Sequence, residues 1–269
     1  MNQIIHGISY HIEIKGQGEP LLLLHGFTGS LNTWRFLGTE LKGCQLIMID
    51  IIGHGKTDSP ADPQKYSMEE TARDLAALLD HFNLNRVHIL GYSMGGRIAL
   101  SFACLFPMRV QSLILESASP GLRTTGERET RRIHDRELAK TIKKKGILAF
   151  VNFWENIPLF DTQRKLPQVI RDNVRKGRLC NNEEGLSSSL LGMGTGSQPS
   201  WWEHLHSLSF PVLLITGQLD PKFCRIAREM KNLLRNAEFK TVPGAGHNIH
   251  LEKSGLFSEI VRKFVTEKS

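Results

Sequence analysis

The chain has 269 residues, 40% of them hydrophobic and 23% charged, with a formal net charge of +7. This is an ordinary composition for a globular chain that buries a sizeable core, and it excludes disorder as a starting assumption. The first residues hold no basic stretch followed by an apolar run and cleavage site, and no apolar segment reaches the ~18 residues of a membrane span, so neither a signal peptide nor membrane insertion is expected and the compartment read from the sequence is the cytoplasm.

Short apolar runs bounded by turn residues alternate with helix-patterned stretches, the signature of an α/β fold with a mostly parallel sheet covered by helices on both faces. An antiparallel start is expected. Residues 10–15 alternate in strand fashion, Gly16-Gln17-Gly18 turns the chain, and residues 21–24 form a continuous apolar run typical of a buried strand. Further strands are predicted at 45–50, 87–91, 110–116, 212–216 and 238–242, each short and rich in leucine or β-branched residues. Helices are predicted over 67–82, opening on a serine cap with Glu70 following, over 94–106, ending before Pro107, and over 254–265. Between residues 121 and 205 helical patterns with Gly and Pro interruptions replace the alternation. This segment is read as a helical lid inserted into a core of residues 1–120 and 206–269.

The charge is localised. From Gly121 to Arg178 there are 15 Lys and Arg against 7 Asp and Glu, which leaves the rest of the chain close to neutral. A solvated helical face, a nucleic-acid surface and a site for a small polyanion all fit such a surplus. No basic groove interleaved with aromatics or nucleic-acid motif accompanies it, so no nucleic-acid partner is expected. Cys44, Cys104, Cys180 and Cys224 are dispersed and form no Cys-x-x-Cys pair; they suit a reducing compartment and imply no zinc site. Gly53-His54-Gly55-Lys56-Thr57 ends like a phosphate-binding loop, but Asp50 stands where the first glycine is required. Gly192-Met193-Gly194-Thr195-Gly196 follows no predicted strand. No cofactor is expected, and the oligomeric state is not legible.

The strongest chemical signal is Gly91-Tyr92-Ser93-Met94-Gly95 at a predicted strand-to-helix junction, the context required of a nucleophile elbow. A serine hydroxyl reacts only when an imidazole takes its proton and an acid orients that imidazole. In the chain order of this arrangement Asp220 and His247 are the candidates, each in a loop after a predicted strand, with His250 as a competing base. His25-Gly26-Phe27-Thr28-Gly29 follows another strand, and the backbone N–H groups of Phe27 and Met94 are the expected oxyanion-hole donors.

Taken together, His25-Gly26, Asp50-Ile51-Ile52-Gly53-His54-Gly55, the elbow, Asp220 and Gly246-His247 resemble the α/β-hydrolase superfamily. Gly91-Tyr92-Ser93-Met94-Gly95-Gly96-Arg97, Ser117-Ala118-Ser119-Pro120-Gly121-Leu122 and Gly194-Thr195-Gly196-Ser197-Gln198-Pro199-Ser200 resemble one family within it, the 2-succinyl-6-hydroxy-2,4-cyclohexadiene-1-carboxylate synthases of menaquinone biosynthesis. That resemblance implies a lyase that eliminates pyruvate from an enolpyruvyl cyclohexene carboxylate, with Ser93 as a base, and a small multi-carboxylate substrate as partner. It also implies that Arg97, Arg128 and Arg178 bind carboxylates while Tyr92 and Trp154 line the pocket. For each arginine a plain surface charge is the alternative, and Arg131, Arg132 and Arg175 lie nearby. Lys222 is a weaker candidate, and Lys143-Lys144-Lys145 is expected to be solvated. A carboxylesterase or carbon–carbon bond hydrolase is the competing activity.

Overall fold

Leu21, Leu22, Leu23 and Leu24 are all fully buried, although successive side chains of a strand point to opposite faces. Both faces of this strand must therefore be covered. The computed structural model, which describes residues 1–268, shows how. Its elements in chain order are β1 (Asn2–Ile5), β2 (Ile8–Lys15), β3 (Glu19–Leu24), α1 (Leu37–Glu40), β4 (Cys44–Ile49), α2 (Met68–His81), β5 (Val87–Tyr92), α3 (Met94–Leu105), β6 (Val110–Glu116), α4 (Thr125–Trp154), α5 (Gln168–Leu179), α6 (Glu183–Met193), β7 (Val212–Gly217), α7 (Pro221–Leu233), β8 (Ala237–Val242), α8 (Ile249–Glu252) and α9 (Ser254–Lys268).

The strands form one sheet in the order β1-β2-β4-β3-β5-β6-β7-β8. β1 pairs antiparallel with β2, and β2 with β4, while every later pairing is parallel. The expected antiparallel start is present, but its partner is not the run at 21–24. β4 lies between β2 and β3, so the glycine turn at 16–18 starts a crossing rather than a hairpin. β1, at the sheet edge, is a strand beyond those expected from the sequence.

Alternation along the central strands builds two cores. Leu22, Leu24, Ile47, Ile49 and Ile89 pack with residues of α2 and α3 on one face. Leu21, Leu23, Leu46, Met48 and Leu90 pack with Leu37 of α1 and Phe257, Val261 and Phe264 of α9 on the other. The helix starts follow their side chains: Ser67 accepts the Glu70 N–H at the head of α2, and Thr124 with Glu127 forms a reciprocal capping box at the head of α4. Between β6 and β7 the described residues form no strand. α4, α5 and α6 occupy this stretch around a small cluster of Ala139, Ile142, Phe150, Val151, Leu186 and Leu190, and α4 is kinked at Gly146, where φ is +79°. Among the described residues no helix is long and apolar enough to cross a membrane.

Candidate active site

β5 ends at Tyr92 and α3 begins at Met94, which leaves Ser93 alone to reverse the chain at φ 50° and ψ −105°. An L-residue rarely adopts this conformation, and it is held here by packing too close for side chains. A Cβ on Gly95 would stand 2.2 Å from the Leu24 carbonyl oxygen, and one on Gly91 would stand 2.4 Å from that of Gly95. The Ser93 N–H donates to the Glu116 carbonyl at the end of β6 (2.8 Å), which fixes the elbow to its neighbouring strand.

The loops after β7 and β8 bring the partners. The Ser93 hydroxyl lies 3.0 Å from His247 Nε2, and His247 Nδ1 lies 2.7 Å from Asp220 Oδ2. Asp220 is also the N-cap of α7, where its Oδ1 accepts the Phe223 N–H (3.2 Å). Both oxygens of this buried carboxylate are therefore engaged, one by the histidine and one by a helix terminus. His250 is not available to compete as the base. Its Nδ1 and its backbone N–H both bond to Glu116, at 2.7 and 2.9 Å, and the pair is buried.

Phe27 and Met94 both border the cavity that Ser93 and His247 open into. Met94 is the first residue of α3, whose N–H has no carbonyl partner within the helix, and the Phe27 N–H has no protein acceptor among the described residues. The loop carrying Phe27 is built on buried neutral imidazoles. His25 takes the Ile51 N–H on Nε2 and donates from Nδ1 to the Gly26 carbonyl, and burial pulls its pKa down to about 4. Burial, with His25 adding to it, takes His54 down to about 3. Asp50 explains the apparent phosphate loop, because its carboxylate accepts the N–H groups of Leu31 and Lys56 and fills the space beside Gly55.

The cavity has a volume of about 780 Å³. An aromatic wall of Phe27 and Trp154, with ring centroids 5.4 Å apart, faces a polar wall that includes Arg97, Arg131 and Lys222. Arg97 sits one turn beyond Ser93, donates to the Met193 carbonyl and to Gln198 Oε1, and has no carboxylate within ion-pair distance among the described residues. Burial first and Arg131 second, against Asp135, bring its pKa down to about 10. Burial followed by Arg131 also lowers the Lys222 ammonium, against Asp220. Three cations thus share one chamber, and for Arg97 and Lys222 burial sets a cost that an anion would relieve.

The remaining expected residues are distributed otherwise. Tyr92 points with Leu90 to the α1 and α9 face, its ring edge-on to His250 at 4.7 Å, and with Arg178 it borders a second cavity of about 430 Å³. Arg178 stacks 4.8 Å from the Phe160 ring and donates to Gln163 Oε1 at 3.3 Å. Arg128 borders neither cavity and turns back toward Thr125 Oγ1 at 3.5 Å. One helical turn on, Arg131 reaches the chamber while its Nε is held by Asp135 at 2.8 Å. An i, i+3 pair was visible in the sequence, but the rotation of α4 was not. Lys143 pairs with Glu184 at the surface.

Comparison with known proteins bears on the fold and the family. The model of the α/β-hydrolase fold family matches residues 19–254. A Bacillus subtilis (strain 168) protein, provisionally named 2-succinyl-6-hydroxy-2,4-cyclohexadiene-1-carboxylate synthase, is 48% identical over 97% of this chain and 96% of its own. The synthase of that name from Serratia proteamaculans (strain 568) is 32% identical over 93% of this chain and 95% of its own. The solved structure of MenH from S. aureus superposes with a TM-score of 0.92 at 33% identity, covering 96% of this chain and 98% of that one. With a serine elbow, an aligned histidine and acid, and relatives matched along nearly their whole length, the chain belongs to the 2-succinyl-6-hydroxy-2,4-cyclohexadiene-1-carboxylate synthase family of the α/β-hydrolase fold.

Proposed function

We propose that this protein is the menaquinone-pathway lyase that eliminates pyruvate from 2-succinyl-5-enolpyruvyl-6-hydroxy-3-cyclohexene-1-carboxylate. The observation that carries this reading is the cluster of Arg97, Arg131 and Lys222 on the wall of the chamber that holds Ser93. A substrate with several carboxylates adds anionic partners to such a cluster, whereas a neutral ester would leave Arg97 with no carboxylate partner. The same argument favours a small polyanion over nucleic acid as the partner.

In this reading Ser93 acts as a base. As its hydroxyl passes a proton to His247 Nε2, the oxygen takes a proton from the substrate ring, and Asp220 stabilises the imidazolium. Charge moves to the conjugated succinyl carbonyl, where the N–H groups of Phe27 and Met94 receive it. Collapse of that charge breaks the ring carbon–oxygen bond. Enolpyruvate leaves, takes up the proton from His247 and becomes pyruvate. No water is added and no acyl-enzyme forms. Trp154 supplies a flat apolar surface for the ring, and the inserted segment 121–205 serves as the lid of the chamber. Arg178 belongs to this machinery only if the lid carries it inward and Arg128 only if α4 turns, while Tyr92, fixed at the end of β5, contributes through its ring contact with His247 (centroids 5.5 Å apart).

Pyruvate release from the purified protein tests the proposal. The expected result is rapid release that Ser93→Ala abolishes; no release at micromolar enzyme refutes it. The competing reading is a carboxylesterase, favoured by the serine–histidine distance, which an acyl-enzyme mechanism also needs. Turnover of p-nitrophenyl acetate at many per second with an acyl burst would support that reading, and negligible turnover would dismiss it.

A further inference from the structure

The loop before His247 contains Gly244, at φ +65°, Ala245 and Gly246, a combination with wide backbone freedom. A histidine placed to within tenths of an ångström needs an external anchor for such a loop. Glu252, at the end of α8, supplies one. Its Oε2 accepts the Gly246 N–H at 2.7 Å, and its Oε1 accepts the Thr162 hydroxyl at 2.9 Å. Thr162 belongs to the 3-10 segment Pro158–Lys165, which joins α4 to α5. This segment lies so close to the loop that a Cβ on Gly246 would stand 2.2 Å from Thr162 Oγ1. It also sends Leu159 into the catalytic chamber and sets Phe160 6.4 Å from the His247 ring.

We propose that Glu252 and Thr162 are positioning residues that form a clamp between the inserted helices and the catalytic histidine. One carboxylate holds the N–H of Gly246, the residue before His247, and the segment that walls the chamber, so the imidazole is aimed at Ser93 only when Pro158–Lys165 is seated. Neither residue touches the reacting atoms. The clamp rests on the lyase reading for the substrate of its assay, but the serine–histidine geometry it controls can be read without that substrate.

Four variants test it: Glu252→Ala, Glu252→Gln, Thr162→Val and Thr162→Ser. Glu252→Ala is expected to lower kcat for pyruvate release by about tenfold to a hundredfold while KM moves by less than about threefold. Glu252→Gln restores most of the rate, because its amide oxygen accepts the Gly246 N–H and its amino group donates to Thr162 Oγ1. Thr162→Val lowers kcat and Thr162→Ser does not. Sulfonylation of Ser93 by phenylmethanesulfonyl fluoride slows in step with kcat across the series. Because that reaction needs no natural substrate, a wild type that releases no pyruvate refutes the lyase reading and leaves the clamp open to test by sulfonylation. In a His247→Ala background, Glu252→Ala lowers neither rate further. The clamp is overturned if Glu252→Ala and Thr162→Val sulfonylate at the wild-type rate. It is equally overturned if their losses match only the fraction unfolded by circular dichroism, or if Glu252→Ala lowers the residual rate of His247→Ala.

Discussion

Replacing Asp220 by asparagine sets two jobs of one side chain against each other. Asp220 accepts from His247 Nδ1 on one oxygen and from the Phe223 N–H on the other. An asparagine has only one accepting oxygen. If that oxygen keeps the helix cap, the amide NH₂ faces His247 Nδ1 and forces the proton onto Nε2, so the imidazole donates to Ser93 and cannot take its proton. If it turns to His247 instead, the NH₂ meets the Phe223 N–H, and the buried mismatch costs about 1–3 kcal/mol. Even then the neutral amide no longer stabilises the imidazolium, a charged hydrogen bond that contributes about 1.5–3 kcal/mol. The losses sum to about 3–6 kcal/mol, or roughly 10²- to 10⁴-fold in kcat. The assay is pyruvate release followed through lactate dehydrogenase, with Ser93 sulfonylation as a second readout. An Asp220→Asn variant that keeps more than about a tenth of the wild-type kcat would refute the reasoning.

Arg97→Met removes a cation with no acid partner together with its hydrogen bonds to the Met193 carbonyl and Gln198 Oε1, and in the pyruvate-release assay kcat/KM should fall by roughly 30- to 5,000-fold, since truncating a buried charged contact to a ligand costs about 2–5 kcal/mol. Arg131→Gln is expected to raise KM about tenfold and Arg128→Gln by less than about threefold, a contrast that follows from which of the two reaches the chamber; equal effects would move the binding wall along α4. His25 and His54 have folded pKa values of about 4 and about 3, below that of an exposed histidine. The unfolded chain therefore binds their protons first, and their contribution to stability is complete above about pH 6.5 and declines as pH falls toward these folded values. Denaturant melts should show about 3–4 kcal/mol less stability at pH 5 than at pH 7, and equal stability would count against neutral buried imidazoles.

The central strands were legible because leucine and β-branched runs on a sheet covered on both faces leave an unbroken apolar signature, as 21–24 and 110–116 do. Strand order was not. The pairing of β2 with β4 depends on a crossing that no local residue encodes, and β1 is too short and exposed to stand out, with Ile4 facing solvent. The same division holds at the site. Ser93, Asp220 and His247 each sit in a turn whose glycines or cap chemistry mark it, so the residues that meet could be found from spacing. The chamber wall depends on the rotation of α4 about its axis, and a helix that carries arginines at 128, 131 and 132 gives no local sign of which one faces inward.

Ser93 occupies a backbone conformation, φ 50° and ψ −105°, that suits glycine better than serine. Its position is therefore one where selection for chemistry and selection for folding disagree. Strain of this kind costs about 1–3 kcal/mol, part of which a glycine gives back through the greater freedom of its unfolded chain. Ser93→Gly should lack activity yet melt no lower than the wild type. A lineage that no longer needed the reaction would gain by this single change, so the serine persists only while the reaction is under selection.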